Sequence, residues 1–181
     1  MVRNPSAISG PCSSLWRGAG NMGVALLRID DRLIHGQVVE GWVPFLRVDL
    51  VVVISDAAAS DEIQTALMKM ALPPAVGLLV VPVAEAAARL RSLERASRRS
   101  LVLVPGPVEA LALMESGVEV DRINVGGLHY TVGKVQLGRA LFLNEKDRLA
   151  LVALAAKGVR LEGRALPSDV AEDLTAALEG R

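Results

Sequence analysis

From Val24 onward the chain alternates short, almost wholly apolar runs with longer segments of helical periodicity. Runs of this kind without polar alternation belong to strands buried on both faces, and their alternation with helices is the signature of repeated strand–helix crossovers. The pattern predicts strands over Val24–Ile29, Asp49–Ser55, Gly77–Val81, Ser100–Val104, Arg122–Val125, Ala140–Leu143 and Val159–Arg164. Helices are predicted over Val39–Leu46, Ser60–Leu72 and Glu145–Lys157, with another starting near Ser168 and Asp169. Capping residues followed by acids mark the starts: Ser60 before Asp61 and Glu62, Asn144 before Glu145 and Asp147, and Ser168 before Asp169. Pro73-Pro74 and Gly158 mark two ends. The expected architecture is therefore α/β: one three-layer α/β/α domain with a mostly parallel central sheet.

Length agrees with a single domain, since 181 residues close one core but are few for two. Residues 1–21, rich in Gly, Pro and Ser and lacking a long apolar stretch, are expected to be a disordered leader, with the folded domain over 22–181. Met22, just before the first strand, offers an alternative translation start whose test is the intact mass of the native protein. Twenty basic residues balance twenty acidic ones, so no electrostatic footprint for nucleic acid or an anionic membrane is present. No apolar run approaches the roughly 20 residues of a membrane-spanning helix. The single cysteine, Cys12, cannot form an internal disulfide, and a reducing, cytoplasmic setting is expected.

In open parallel sheets ligands bind beyond the carboxyl ends of the strands. The loop after the first strand reads Arg28-Ile29-Asp30-Asp31-Arg32-Leu33-Ile34-His35-Gly36-Gln37-Val38. An imidazole nitrogen is a nucleophile towards phosphorus at neutral pH, and Arg32, three residues before His35, offers paired donors for phosphate oxygens. A helix starting beside His35 and Gly36 would add backbone donors and the positive end of its dipole. Asp30 or Asp31 would orient the ring or position Arg32. On residue types alone, a capping or packing histidine beside a solvated Asp31–Arg32 pair is the favoured reading of the loop.

Two further loops offer candidates. Asp56 follows the second strand, either lining the site or capping a turn. After the fifth strand come Gly126 and Gly127, a pair able to take positive φ, and then His129, the only other histidine. The full spacing of a phosphate-loop or dinucleotide fingerprint is lacking, and two histidines without further matched ligands make a poor zinc site, so neither a nucleotide cofactor nor a metal is assigned.

The segment from Arg28 to Val38, followed by Gly41-Trp42, closely resembles the opening of the B component of the mannose/fructose/sorbose-type bacterial sugar phosphotransferase system. Asp49 to Asp56, Asp61, Met68-Lys69-Met70-Ala71 with Pro73-Pro74, Asn124 to Gly127, and Leu141 to Asn144 extend the resemblance over residues 24 to about 166. It implies that His35 is phosphorylated by a histidine of an A component and donates to a sugar, that Arg32 holds the phosphate, and that no cofactor is needed. The implied partners are the A component and the membrane C and D components, with the protein cytoplasmic and peripherally associated with the transporter. A regulatory phospho-acceptor without a dedicated porter is the alternative. Catalysis would rest on positioning and charge stabilisation, and Trp42 and Phe45 are expected in the core. Gly127-Leu128-His129-Tyr130 departs from the Asn and Met more common in mannose-type members, so the family's contacts with partner or sugar do not carry over to this loop, where His129 is either an aid to transfer or an exposed loop residue without a function. The sugar, homodimer formation and the phosphorylated nitrogen stay open at this stage.

Overall fold

In a computed structural model, residues 23–96, 98–137 and 141–179 are described. The strands are β1 (Val24–Asp30), β2 (Leu50–Ile54), β3 (Gly77–Val81), β4 (Ser100–Val104), β5 (Arg122–Gly127), β6 (Val135–Leu137), β7 (Leu141–Leu143), β8 (Arg160–Gly163) and β9 (Glu172–Asp173). The helices are α1 (Val43–Leu46), preceded by a π-helical segment Gln37–Trp42, then α2 (Asp56–Ala59), α3 (Glu62–Ala71), α4 (Val83–Arg95), α5 (Pro107–Glu115), α6 (Glu145–Ala156) and α7 (Leu174–Glu179). The main sheet runs β3-β2-β4-β1-β5-β8-β9 and is parallel except for β9. β2 and β4 are buried at every position, β2 as its unbroken apolar sequence requires and β4 with its one polar residue, Ser100, donating from its hydroxyl to Gly23 O.

Helices cover both faces. Alternate strand residues such as Leu27, Ile29, Val52, Val102 and Ile123 pack with Ala86, Leu90, Leu113, Leu151 and Leu174 of α4 to α7. The other set, including Leu26, Val51, Val53, Leu101 and Leu103, packs with Trp42, Leu46, Ala58 and Met68. This second apolar layer draws on β1 to β4 only. Beyond β1 the same face turns polar: Arg28, Asn124 and Glu162 stand in register across β1, β5 and β8.

β1 connects to β2 on one side of it, whereas β5 connects onward to β8 on the other. The chain thus diverges between the adjacent carboxyl ends of β1 and β5, the switch point where doubly wound sheets open a crevice.

Several local expectations shift. The helix expected from Val39 begins at Gln37 with π geometry, because Pro44 has no N–H and its ring would meet the carbonyl of Glu40 in an α register. Asp61, not Ser60, caps α3, its carboxylate accepting from Gln64 N at 2.8 Å. Asn144 caps α6 in a reciprocal capping box with Asp147, as its sequence signals. No helix starts at Ser168; the Asp169 carboxylate instead accepts from Leu166 N, and α7 begins at Leu174. The strand expected over Ala140–Leu143 is seen as Leu141–Leu143, Ala140 lying outside the described residues, and it pairs antiparallel with β6 in a small separate sheet. The expected leader, residues 1–21, with Cys12, also falls outside the described residues. Phe45, expected in the core, is 39% exposed at the outer face of α1, while Trp42 is fully buried.

Candidate active site

Arg28 and Asp30 occupy alternate positions of β1, so they project from one face, the face where the apolar helices give way to polar residues. Both are fully buried. Arg28 donates from Nε at 3.2 Å and from Nη2 at 2.7 Å to Asp30 Oδ2, and its Nη1 reaches the Asn124 side-chain oxygen and the Arg164 carbonyl. Its guanidinium lies 5.2 Å from the Trp42 ring centroid, a cation–π contact that packs it from the helical side. Burial pushes the Arg28 guanidinium below its usual range, and the Asp30 charge partly restores it. Burial alone would push the Asp30 carboxyl up, but the hydrogen bond to His35 and the Arg28 charge outweigh it and hold the group below the ordinary carboxylate range. Asp30 is therefore a fixed anion.

The chain then turns sharply. Leu33 adopts a left-handed backbone, φ 56°, while its side chain is buried and its N–H donates to the Asp30 carbonyl at 3.0 Å. A non-glycine residue in this region carries strain that packing must hold in place, and here the strain folds His35 back over Asp30. His35 Nε2 sits 3.0 Å from Asp30 Oδ2. An ionised carboxylate only accepts, so Nε2 carries a proton, and in the neutral ring Nδ1 is the nitrogen with the lone pair. Nδ1 makes no hydrogen bond to any described residue.

Arg32 is anchored loosely beside this pair. Its Nε lies 3.8 Å from Asp30 Oδ1, its Nη2 donates to Gln37 Oε1 at 2.8 Å, and its side chain is 44% exposed. The backbone donors expected at the helix start are partly committed, since Val38 N and Val39 N both bond the His35 carbonyl at 2.9 Å.

The remaining candidates divide. Asp31 does not orient His35; its carboxylate holds His129, accepting from Nδ1 at 2.7 Å and from the backbone N–H at 2.6 Å. Asp31 N donates to Gly127 O at 3.1 Å, joining the β1 and β5 loops. Asp56 accepts from Val83 N at 2.8 Å, at the start of α4. Gly126 and Gly127 do not adopt positive φ. Gly126 is needed for space, because a Cβ there would fall 1.8 Å from Arg28 Nη2. Gly36 begins the helical segment with open space around it. Among the described residues no cluster with metal-binding composition occurs.

Arg28, Asn124 and Gln37 are site residues that sequence reasoning did not single out. The signal for Arg28 was its charge inside an otherwise apolar strand, since a cation at such a position has to be paired.

Fold and site together define an α/β domain whose switch-point loop presents a carboxylate-oriented histidine with an arginine beside it. Residues 24–181 match the family model of the PTS system sorbose subfamily IIB component, and the chain belongs to that family. It is 34% identical to the fructose-specific EIIB component of Bacillus subtilis, over 87% of this chain and 96% of that one. It is 37% identical to the mannose-specific EIIAB component of Escherichia coli K12 over 82% of this chain, and spans about half (46%) of that longer relative. The crystal structure of the IIBSor domain of the sorbose permease from Klebsiella pneumoniae superposes with a TM-score of 0.81 at 30% identity, covering 87% of this chain and 96% of that one.

Proposed function

We propose that residues 22–181 form a phosphocarrier domain, a protein-N(π)-phosphohistidine–sugar phosphotransferase that accepts a phosphoryl group at His35 Nδ1 and passes it to a sugar hydroxyl. The observation behind this reading is the Asp30–His35 contact, which occupies Nε2 and leaves Nδ1 as the nucleophile. In the first step the Nδ1 lone pair attacks phosphorus, the bond to the donor histidine breaks, and its electron pair returns to the donor. The phosphorylated ring, with hydrogen still on Nε2, is cationic, and the Asp30 anion at 3.0 Å balances that charge. Arg32, released from Gln37, meets the equatorial phosphoryl oxygens. In the second step a sugar oxygen attacks phosphorus in line, and the N–P bond electrons return to Nδ1.

The donor is a PTS A component, a role supported by mannose-specific relatives that carry A and B in one chain. The acceptor is a sugar held by membrane C and D components; relatives are specific for mannose, fructose, sorbose and N-acetylgalactosamine. Among the described residues no helix is long and apolar enough to cross a membrane, in keeping with a carrier that docks on a separate transporter from the cytoplasm.

The test is labelling from phosphoenolpyruvate with the general phosphotransfer proteins and the cognate A component. Wild type takes up acid-labile, alkali-stable phosphate and His35→Ala takes up none. Label persisting in His35→Ala, or absent from wild type while the A component is labelled, refutes the proposal. NMR of the phosphorylated ring should place phosphorus on Nδ1; phosphate on Nε2 would refute the assigned tautomer.

A further inference from the structure

Asp30 and Asp31 are consecutive, yet each holds a different histidine through a different nitrogen. Asp30 takes Nε2 of His35 and leaves Nδ1 open; Asp31 takes Nδ1 of His129 and leaves Nε2 open. The second pair is more exposed than the first, but it is bonded at two points. Both Asp31 oxygens are engaged by His129, one by the ring at 2.7 Å and one by the backbone N–H at 2.6 Å, so the imidazole cannot turn without losing the carboxylate. The His129 ring and the Asp30 carboxylate both border Gly127. A Cβ there would lie 3.5 Å from His129 Cε1 and 3.8 Å from Asp30 Oδ1, so the absence of a side chain keeps open the gap between the His129 ring and the carboxylate that carries His35. His129 is also half exposed, which lets a ligand reach Nε2.

The two transfer steps differ in one chemical respect. Accepting phosphate from a phosphohistidine moves no proton from an attacking hydroxyl, whereas delivery to a sugar requires the hydroxyl to lose its proton as the O–P bond forms. His35 cannot take it, because Nδ1 is the leaving nitrogen and Nε2 already carries hydrogen. We infer that His129, oriented by Asp31, is the general base of the sugar step. The sugar oxygen forms its bond to phosphorus, the N–P bond breaks with its electrons returning to Nδ1, and the hydroxyl proton moves to His129 Nε2. The resulting imidazolium is held by the Asp31 carboxylate and then releases its proton to water. This role rests on the phosphocarrier reading of His35.

The two half-reactions are measured separately. His35 labelling by the phosphorylated A component gives the first, and transfer from pre-labelled protein to radioactive mannose, fructose, sorbose or N-acetylgalactosamine in inverted vesicles carrying the chain's own C and D components gives the second. A positioned general base contributes about 10²–10⁴ in rate, so His129→Gln should slow the sugar step at least about 100-fold and labelling by far less. Asp31→Asn should show the same imbalance in weaker form. Equal slowing of both steps would mark a docking or structural role and overturn the inference, as would an unchanged sugar step. Absence of label on wild-type His35 would instead defeat the phosphocarrier reading itself, and this one with it.

Discussion

Asp30 and Asp31 share a side chain and a place in the sequence but not an environment, and the contrast separates two uses of a carboxylate. Asp30 ends a strand with its oxygens at zero exposure, bonded by the wholly buried Arg28 and by His35. Asp31 lies in the turn one residue later, 27% exposed at its side chain, with an exposed histidine as partner. A buried charge must be held by partners, or folding leaves it uncompensated, whereas a half-exposed charge is still solvated and depends less on any one contact. Stability and charge balance therefore reside at Asp30. Asp31 is left to serve a group that exchanges protons with substrate and water.

The comparison breaks most sharply on stability. Asp30→Asn leaves the Arg28 cation buried without its counter-charge, and removing one member of a buried pair costs about 3–5 kcal/mol. Urea unfolding at neutral pH should show that loss. The difference between wild type and Asp30→Asn should also fall in acid. The native pKa of Asp30 is depressed, so its stabilisation is complete above the unfolded carboxylate range near about 4 and is lost as pH falls through the lower native value. A difference that grows on acidification would contradict the assigned ionisation.

An intermediate effect comes from Gly126→Ala, which leaves both acids intact. The new methyl would fall on the Arg28 guanidinium, and overpacking a closed site costs about 1–3 kcal/mol. Displacing Arg28 loosens Asp30, so His35 labelling should slow along with the loss of stability. Full stability and activity in Gly126→Ala would show that the guanidinium has room to move.

The contrast also explains how far the sequence could be read. Strands such as Gly77–Val81 and Ser100–Val104 are correctly bounded by runs in which nearly every residue is apolar, the mark of strands with helices over both faces. His35 and Arg32 are legible through their short spacing and the family motif around them. Arg28 is not, because its partners Asn124 and Arg164 lie far along the chain and meet it only through the register of β1, β5 and β8. For the same reason Gly126 and Gly127 suggested special backbone angles, when neither takes positive φ and the requirement at Gly126 is space for the Arg28 guanidinium from β1. The split of Asp30 and Asp31 between two histidines depends on where β1 stops, a boundary of one residue that periodicity does not resolve.

The smallest effect is expected at Asp31. Removing its charge weakens the hydrogen bonds that it accepts from the ring and the backbone N–H of an exposed histidine, yet the asparagine side-chain oxygen can still accept one of these. Exposed pairs contribute about 0.2–1 kcal/mol, so Asp31→Asn should unfold in urea within about 1 kcal/mol of wild type. A loss as large as that of Asp30→Asn would mean that Asp31 carries the junction of the β1 and β5 loops through its side chain. Part of that junction is backbone: Asp31 N reaches Gly127 O at 3.1 Å, a bond that the substitution leaves in place. With the scaffold so held, any larger functional loss in Asp31→Asn has to arise at His129.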